Sequence, residues 1–229
     1  MAAEGRGHTP PHLEQLVAQL DDAGLLFGPR FDAILAKMRS DFDSAPNLPP
    51  ASTAAFADAL AQDTVGKESE GAKATDEQKA EIGPKRLREI FDQWIDAALK
   101  DAEKPSFDEL PKAVVAPHLD YPRGWLNYAS VYGRLRVVDR PDRVVVLGAN
   151  HFGMATGVCG CDKGYETPLG LCEADKDFIN AVKTELGPEQ SEKLFQNRYD
   201  HEREHSIELH IPWLQHCLGK DEAGNFCKV

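Results

Sequence analysis

Two short runs of apolar residues, 113–116 (AVVA) and 144–147 (VVVL), constrain the fold more than any other feature of the sequence. Short β-branched runs bounded by proline, arginine or glycine are typical of buried strands in parallel sheets. Between the two runs lies a helical face formed by Trp125, Tyr128, Ala129 and Tyr132. A strand, a helix and a strand over about 35 residues form a βαβ unit. The sequence therefore predicts an α/β fold with a mostly parallel central sheet and flanking helices.

The first half of the chain predicts a helical region that precedes this sheet. Apolar residues recur at helical spacing from Leu13 and again from Phe31. Proline-rich and small polar segments follow, and their composition indicates a linker and a mobile loop. We therefore divide the chain into a helical N-terminal segment, residues 1–43, a linker and mobile loop, residues 44–83, and an α/β domain, residues 84–229.

Composition narrows the classes of function. The net charge of −12 over 229 residues argues against binding to nucleic acid or to anionic lipid. No apolar run is long enough for a transmembrane helix, and the first residues lack the pattern of a secretory signal. Five cysteines form an odd set, which suits a reducing compartment. We expect a cytoplasmic protein with neither a nucleic-acid partner nor a membrane partner.

Two histidines directly follow the predicted strands. His118 comes after the first run and His151 after the second. Ligands of open α/β sheets bind at the carboxyl ends of strands, and neutral imidazole is a common metal ligand. Gly148 would let the backbone come close to a bound group. The two histidines therefore predict a metal site, while the alternative for each is a hydrogen-bonding residue in a loop.

A third feature is the segment HEREHSIELHIP, residues 201–212. If this segment is helical, His205 and Glu208 share a face at a spacing of three residues. A histidine–carboxylate pair can fix an imidazole tautomer or act as a general base, so these two residues are the candidate catalytic pair. The alternative is a charged, solvated helix face.

Four motifs in this order resemble the Memo family, whose bacterial members are also named AmmeMemoRadiSam system protein B. They are APH at 116–118, LGANH at 147–151, TPLG at 167–170 and EHSIELH at 204–210. The resemblance covers about residues 84–229. It implies a fold similar to that of class III extradiol dioxygenases, which use non-haem iron.

The resemblance also assigns residues. His118 and His151 match the metal-site histidines of the family. The first motif, usually APHAGY, here has Leu119 and Asp120 in place of the small pair, which narrows the pocket or adds a carboxylate to it. The other residues that we assign to the pocket are Asn150, Glu204 and His210. The family has about a hundred further residues that complete the metal site, so we expect this domain to be incomplete at its C-terminus.

Three functions are compatible with these residues. The first is a metal-dependent oxidoreductase resembling the dioxygenases, with Fe(II) favoured over Cu or Zn as the divalent ion. The second is a non-catalytic module that binds a small molecule or a peptide in the same cleft, for which the family resemblance implies a radical-SAM partner protein. The third is metal-assisted hydrolysis with Zn²⁺. The sequence leaves open whether the protein is an enzyme.

Overall fold

The computed structural model describes residues 11–136 and 139–229. The chain divides into two compact units, and the boundary in the sequence lies between Ala45 and Pro46. The described part of the first unit contains helices α1 (Pro11–Asp22) and α2 (Pro29–Ser44). The predicted stripes that begin at Leu13 and Phe31 lie in these two helices. Pro29 occupies the first turn of α2, where its missing N–H needs no partner.

The described part of the second unit consists mainly of helices and one β-hairpin. The helices are α3 (Ser52–Glu68), α4 (Asp76–Leu99), α5 (Tyr121–Tyr132), α6 (Lys176–Phe195), α7 (His205–Glu208) and α8 (Ile211–Leu218). The hairpin pairs β1 (Tyr165–Thr167) antiparallel with β2 (Gly170–Cys172). None of the helices in residues 11–136 and 139–229 has the length and apolar character that are needed to span a membrane.

The prediction of a mostly parallel central sheet is wrong. Across the described residues, the named strands form only the two-stranded antiparallel sheet. The runs 113–116 and 144–147 are irregular, and Val115 and Leu147 are 93% and 85% exposed. A strand needs a neighbour to accept and donate its backbone hydrogen bonds, and the apolar composition of a run does not supply that neighbour.

The segment 44–83, expected to be a linker and a mobile loop, also differs from the prediction. It contains all of α3 and the start of α4. The buried face of α3 repeats every four residues and is built from small side chains, Thr53, Ala57, Ala61 and Val65. A helix with so small an apolar face lacks the stripe of large residues from which helices are recognised in a sequence.

An aromatic core holds α4, α5 and α8 together. Trp213 of α8 is fully buried, and its ring centroid lies 3.8 Å from that of Phe91 and 5.6 Å from that of Tyr128. The aromatic face that contains Phe91 and Trp94 therefore packs on helices rather than on a sheet. Tyr121 of α5 donates a hydrogen bond from its hydroxyl to the Leu209 carbonyl at 2.7 Å. This bond connects the start of α5 to the link between α7 and α8.

Candidate metal centre

Three histidines from separate segments converge on one point. His118 precedes α5, His151 follows the second apolar run, and His205 begins α7. One nitrogen of each ring lies within 4.8 Å of the corresponding nitrogens of the other two. The Nε2 atoms of His118 and His151 are 3.3 Å apart. The predicted pair of histidines is thus brought together, and His205 joins it.

A buried carboxylate lies behind two of these rings. Glu204 Oε2 accepts a hydrogen bond from the His151 backbone N–H at 2.7 Å, and Oε1 accepts one from the Ser206 N–H at 2.8 Å. Oε1 is also 3.0 Å from Nδ1 of His151 and 3.4 Å from Nδ1 of His205. Burial opposes ionisation of Glu204, but these hydrogen bonds outweigh it and lower the pKa of the carboxyl to about 2.

The ionised carboxylate selects one tautomer of His151. Because Glu204 can only accept hydrogen bonds, Nδ1 is the nitrogen of His151 that carries a proton, and in the neutral ring the lone pair is then on Nε2. That lone pair is on the nitrogen nearest to His118. Burial, together with the neighbouring His151 and His205, lowers the pKa of His118 and favours its neutral form. Neutral imidazoles are the form that binds metal ions.

Close backbone packing brings His151 to α7. The Ser206 hydroxyl accepts a hydrogen bond from the Ala149 N–H and donates one to the Ala149 carbonyl, both at 2.9 Å. A Cβ on Gly148 would lie 2.5 Å from the Ser206 oxygen and 2.6 Å from Cγ1 of Ile207. Glycine is therefore required at this position by the close approach of the two segments.

Glu208, predicted to pair with His205, has a different set of partners. Its Oε1 accepts hydrogen bonds from the Ala51 and Thr53 N–H groups at 2.9 Å and from the Thr53 hydroxyl at 2.7 Å. Its Oε2 accepts one from the Ser52 N–H at 3.2 Å. The structure does not bring this carboxylate to His205, because it occupies the N-terminus of α3.

The predicted pocket residues His210 and Asn150 are also engaged in local contacts. His210 is buried, and its Nδ1 lies 2.8 Å from the Tyr132 hydroxyl. Burial lowers the pKa of His210 to about 4, and electrostatic repulsion from His118 is the second, smaller cause. Asn150 donates a hydrogen bond to the Asp200 carboxylate at 2.8 Å and accepts one from the Gly153 N–H at 2.8 Å. Asn150 thus shapes the loop that follows His151.

A cleft of about 370 Å³ opens beside the histidines, and Asp120 lies on its wall. The cleft is lined by Ser52, Phe56, His118, Leu119, Asp120, Tyr121, Pro122, Arg123, His205 and Leu209. Two of the three histidines therefore face a space that can hold a small molecule.

The sequence interpretation missed His205 as a candidate ligand and gave it a catalytic role. It also treated Glu204 as a pocket residue rather than as the group that orients His151. The sequence does contain a signal for both, since Glu204 and His205 are adjacent and the family motif includes them. What it lacks is the contact that joins Glu204 to a histidine 53 residues earlier.

Comparisons with known proteins agree with this arrangement of motifs. The family described as Memo-like protein matches residues 81–225, more than half of the chain. A MEMO1 family protein of Methanopyrus kandleri is 31% identical over 141 residues, which cover 60% of this chain and 48% of that protein. A MEMO1 family protein of Methanothermobacter thermautotrophicus is 34% identical over 139 residues, which cover 59% of this chain and 48% of that protein.

The chain spans about half the length of these curated relatives. No solved structure matches it. The family match and the relatives confirm the resemblance drawn from the four motifs: the chain belongs to the Memo-like protein family.

Proposed function

We propose that this protein is a metal-dependent oxidoreductase. Its His118, His151 and His205 would hold a divalent first-row metal ion. The observation that carries the proposal is the convergence of three imidazoles, one of them held in a ligand-competent tautomer by a buried carboxylate. Imidazole is a good ligand for Fe, Cu and Zn, and a carboxylate bound to the far nitrogen of a ligand histidine is the usual support of such sites.

The spacing of His118 and His151 fits a shared metal ion, whereas the donor atoms of the full set with His205 lie within 4.8 Å of one another. A tetrahedral ion with metal–nitrogen bonds of about 2.0–2.1 Å separates neighbouring nitrogen ligands by about 3.3 Å. The Nε2 atoms of His118 and His151 are 3.3 Å apart. With Nδ1 of His151 protonated toward Glu204, the Nε2 lone pair of that ring is free for an ion.

The surroundings favour a reactive centre over a structural one. A structural zinc site is closed by four protein ligands, whereas a catalytic site keeps positions open. Here three histidines supply donors, and the adjoining cleft gives a small molecule access to the remaining positions. Fe(II) with open positions binds an organic ligand and O₂ together, which is the chemistry that it would supply here.

Metal-assisted hydrolysis is the second candidate. It is favoured by the composition of the donor set, because all three candidate ligands are imidazoles and the carboxylate lies behind them. Three histidines around Zn²⁺ lower the pKa of a bound water to about 7 and make it a nucleophile. The identity of the metal that restores turnover separates the two candidates.

The ligand assignment predicts the metal content of three single variants. We expect the protein loaded anaerobically with Fe(II) to retain about one ion per chain, and His118→Ala, His151→Ala and His205→Ala each to lose most of it on dialysis. Elemental analysis measures this directly. His12→Ala, in the exposed first turn of α1, is the control and should keep its metal. Full metal content in His205→Ala would refute the three-histidine site.

Activity then tests the reaction class. The Fe(II) protein should consume O₂ in the presence of catechol-type substrates, and the three histidine variants should not. Turnover of ester substrates by the Zn²⁺ protein alone would favour hydrolysis. Stoichiometric metal with no turnover of either class would contradict the proposed enzyme and favour a module that only binds a ligand.

Replacing Glu204 tests the role of the carboxylate. We expect Glu204→Gln to weaken metal binding by roughly tenfold or more, because His151 loses the partner that fixes its tautomer and orientation. Competition with a chromogenic chelator measures the metal Kd. The control is Glu202→Gln, which removes the same charge two residues away. Equal metal affinity in Glu204→Gln and the parent protein would rule out this positioning role.

A further inference from the structure

One ion pair on the wall of the cleft has no role in the proposed metal centre. Arg123 Nε donates to Asp120 Oδ1 at 2.7 Å, and both residues line the cleft together with His118 and His205. We propose that the cleft takes a small aromatic carboxylate, with the carboxylate group bound by Arg123 and oriented through Asp120. This inference rests on the proposed metal centre, since it names the substrate class of the same cleft.

The guanidinium group of Arg123 has an edge available for a ligand. Arginine is planar and carries five N–H donors, which bind a carboxylate through two parallel hydrogen bonds. Asp120 engages Nε only. No hydrogen bond from another residue in the described ranges reaches Nη1 or Nη2. The edge formed by these two nitrogens matches the two oxygens of a carboxylate.

Asp120 is suited to hold this arginine rather than to cap a helix. It is the N-cap residue of α5, where an aspartate side chain usually accepts a hydrogen bond from the backbone of the first turn. Here the side chain makes no such bond and is directed to Arg123. Leu119 and Asp120 therefore place an apolar and a charged side chain side by side on the cleft wall.

The rest of the cleft wall suits an apolar ring. Phe56, Leu119, Pro122 and Leu209 supply apolar surface between the polar groups. The volume of about 370 Å³ is near the lower limit for small-molecule sites, which restricts the ligand to a small size. A ring that packs on this surface with its carboxylate on Arg123 remains in the cleft that His118 and His205 line.

Charge complementarity makes the carboxylate preference specific to Arg123. The chain has a net charge of −12, so its overall field does not attract anions. A gain in affinity from a carboxylate must then come from a local cation, and in the metal-free protein Arg123 is the one arginine or lysine among the described residues that line the cleft. Because the Arg123 side chain is 73% exposed, solvent screening limits the gain to about three- to fivefold in Kd.

Two diols that differ by one carboxylate test the proposal on the metal-loaded protein. We expect protocatechuate to bind more tightly than catechol by about three- to fivefold, and this ratio to fall to about one in Arg123→Gln. Comparing ratios between variants cancels the different acidities of the two diols. Arg86→Gln is the matched control, because it breaks another ion pair at a spacing of three residues, with Glu89 on α4 and outside the cleft. Its ratio should equal that of the parent protein.

Asp120→Asn separates positioning from charge. If Asp120 orients Arg123, this variant should lower the ratio toward one even though it removes a negative charge near the ligand. A purely electrostatic role predicts the opposite, because loss of a repelling carboxylate would strengthen binding of an anion. A higher ratio in Asp120→Asn would therefore overturn the positioning role.

A metal-free comparison keeps the test independent of the proposed metal centre. Benzoate and its neutral analogue benzamide are titrated against the apo protein by ligand-observed NMR. A benzoate preference that disappears in Arg123→Gln supports the carboxylate site even if no metal binds, in which case only the proposed function fails. Equal ratios in the parent protein and Arg123→Gln, for both ligand pairs, would overturn the inference.

Discussion

Glu208→Ala is expected to lower the free energy of unfolding by about 3 kcal/mol, although the sequence marks this residue for catalysis. The buried carboxylate accepts four hydrogen bonds from Ala51, Ser52 and Thr53 at the N-terminus of α3. Ala51, the N-cap residue, has no side chain that could accept them. Removing Glu208 leaves the buried N–H and hydroxyl of Thr53 without this acceptor, which is costly, whereas the exposed N–H groups of Ala51 and Ser52 can bond to water. Urea denaturation followed by circular dichroism measures the loss.

Two variants control this prediction. Glu208→Gln keeps one acceptor oxygen and should lie between the parent protein and Glu208→Ala. Glu222→Ala removes an exposed carboxylate and should change stability by less than about 0.5 kcal/mol. If Glu208→Ala is as stable as Glu222→Ala, the carboxylate does not stabilise the start of α3.

Glu208→Ala also tests whether Glu208 contributes to stability alone or also to metal binding. Because Glu208 contacts α3 rather than His205, Glu208→Ala should still bind Fe(II) with the parent affinity at a temperature where it is folded. Its effect on the cleft should be indirect, through Ser52 and Phe56 of α3, which belong to the cleft wall. A loss of metal from the folded variant would instead return Glu208 to the metal centre.

The sequence predicts that His118 and His151 lie together without predicting the fold that surrounds them. His118 and His151 were expected to meet because each follows an apolar run, and their Nε2 atoms do lie 3.3 Å apart. The sheet that was to bring them together is absent from the described residues, since the two runs do not pair. Contacts of Ser206 with Ala149 and of Glu204 with His151 hold the His151 segment against the start of α7, where His205 lies. Short motifs identify such residues, but their partners depend on tertiary packing.

The start of α3 could not be predicted, because the residue that accepts its hydrogen bonds is distant in the sequence. The N-cap of α3 is supplied by Glu208, which lies 155 residues after Thr53. No local pattern of the kind that marks capping residues can reveal such a partner. By contrast, α4 begins with a local capping box between Thr75 and Gln78. A capping box is a pattern that the sequence alone contains. The polar composition around it nevertheless led to the prediction of a loop.

Acidification from pH 7 to pH 4 is expected to cost the protein about 3 kcal/mol of stability through His210 alone. Burial holds the pKa of His210 at about 4 in the folded protein, against 6.5 for an ordinary histidine. The folded pKa is depressed, so the unfolded chain takes up the proton first. The stabilising contribution is present above pH 6.5 and is lost as the pH falls through 4. Urea denaturation at a series of pH values measures it.

The difference between the parent protein and His210→Gln isolates this contribution. Carboxyl groups also titrate over the lower part of this range, but they do so in both proteins and cancel in the comparison. We expect His210→Gln to be less stable than the parent at pH 7, since its packing against Tyr128 and its contact with Tyr132 are altered. Its stability should then fall less steeply with acid. His12→Gln, on the exposed first turn of α1, should follow the parent curve. Parallel curves for His210→Gln and the parent would show that His210 is not buried in its neutral form, and the packing of α8 against α5 would need another explanation.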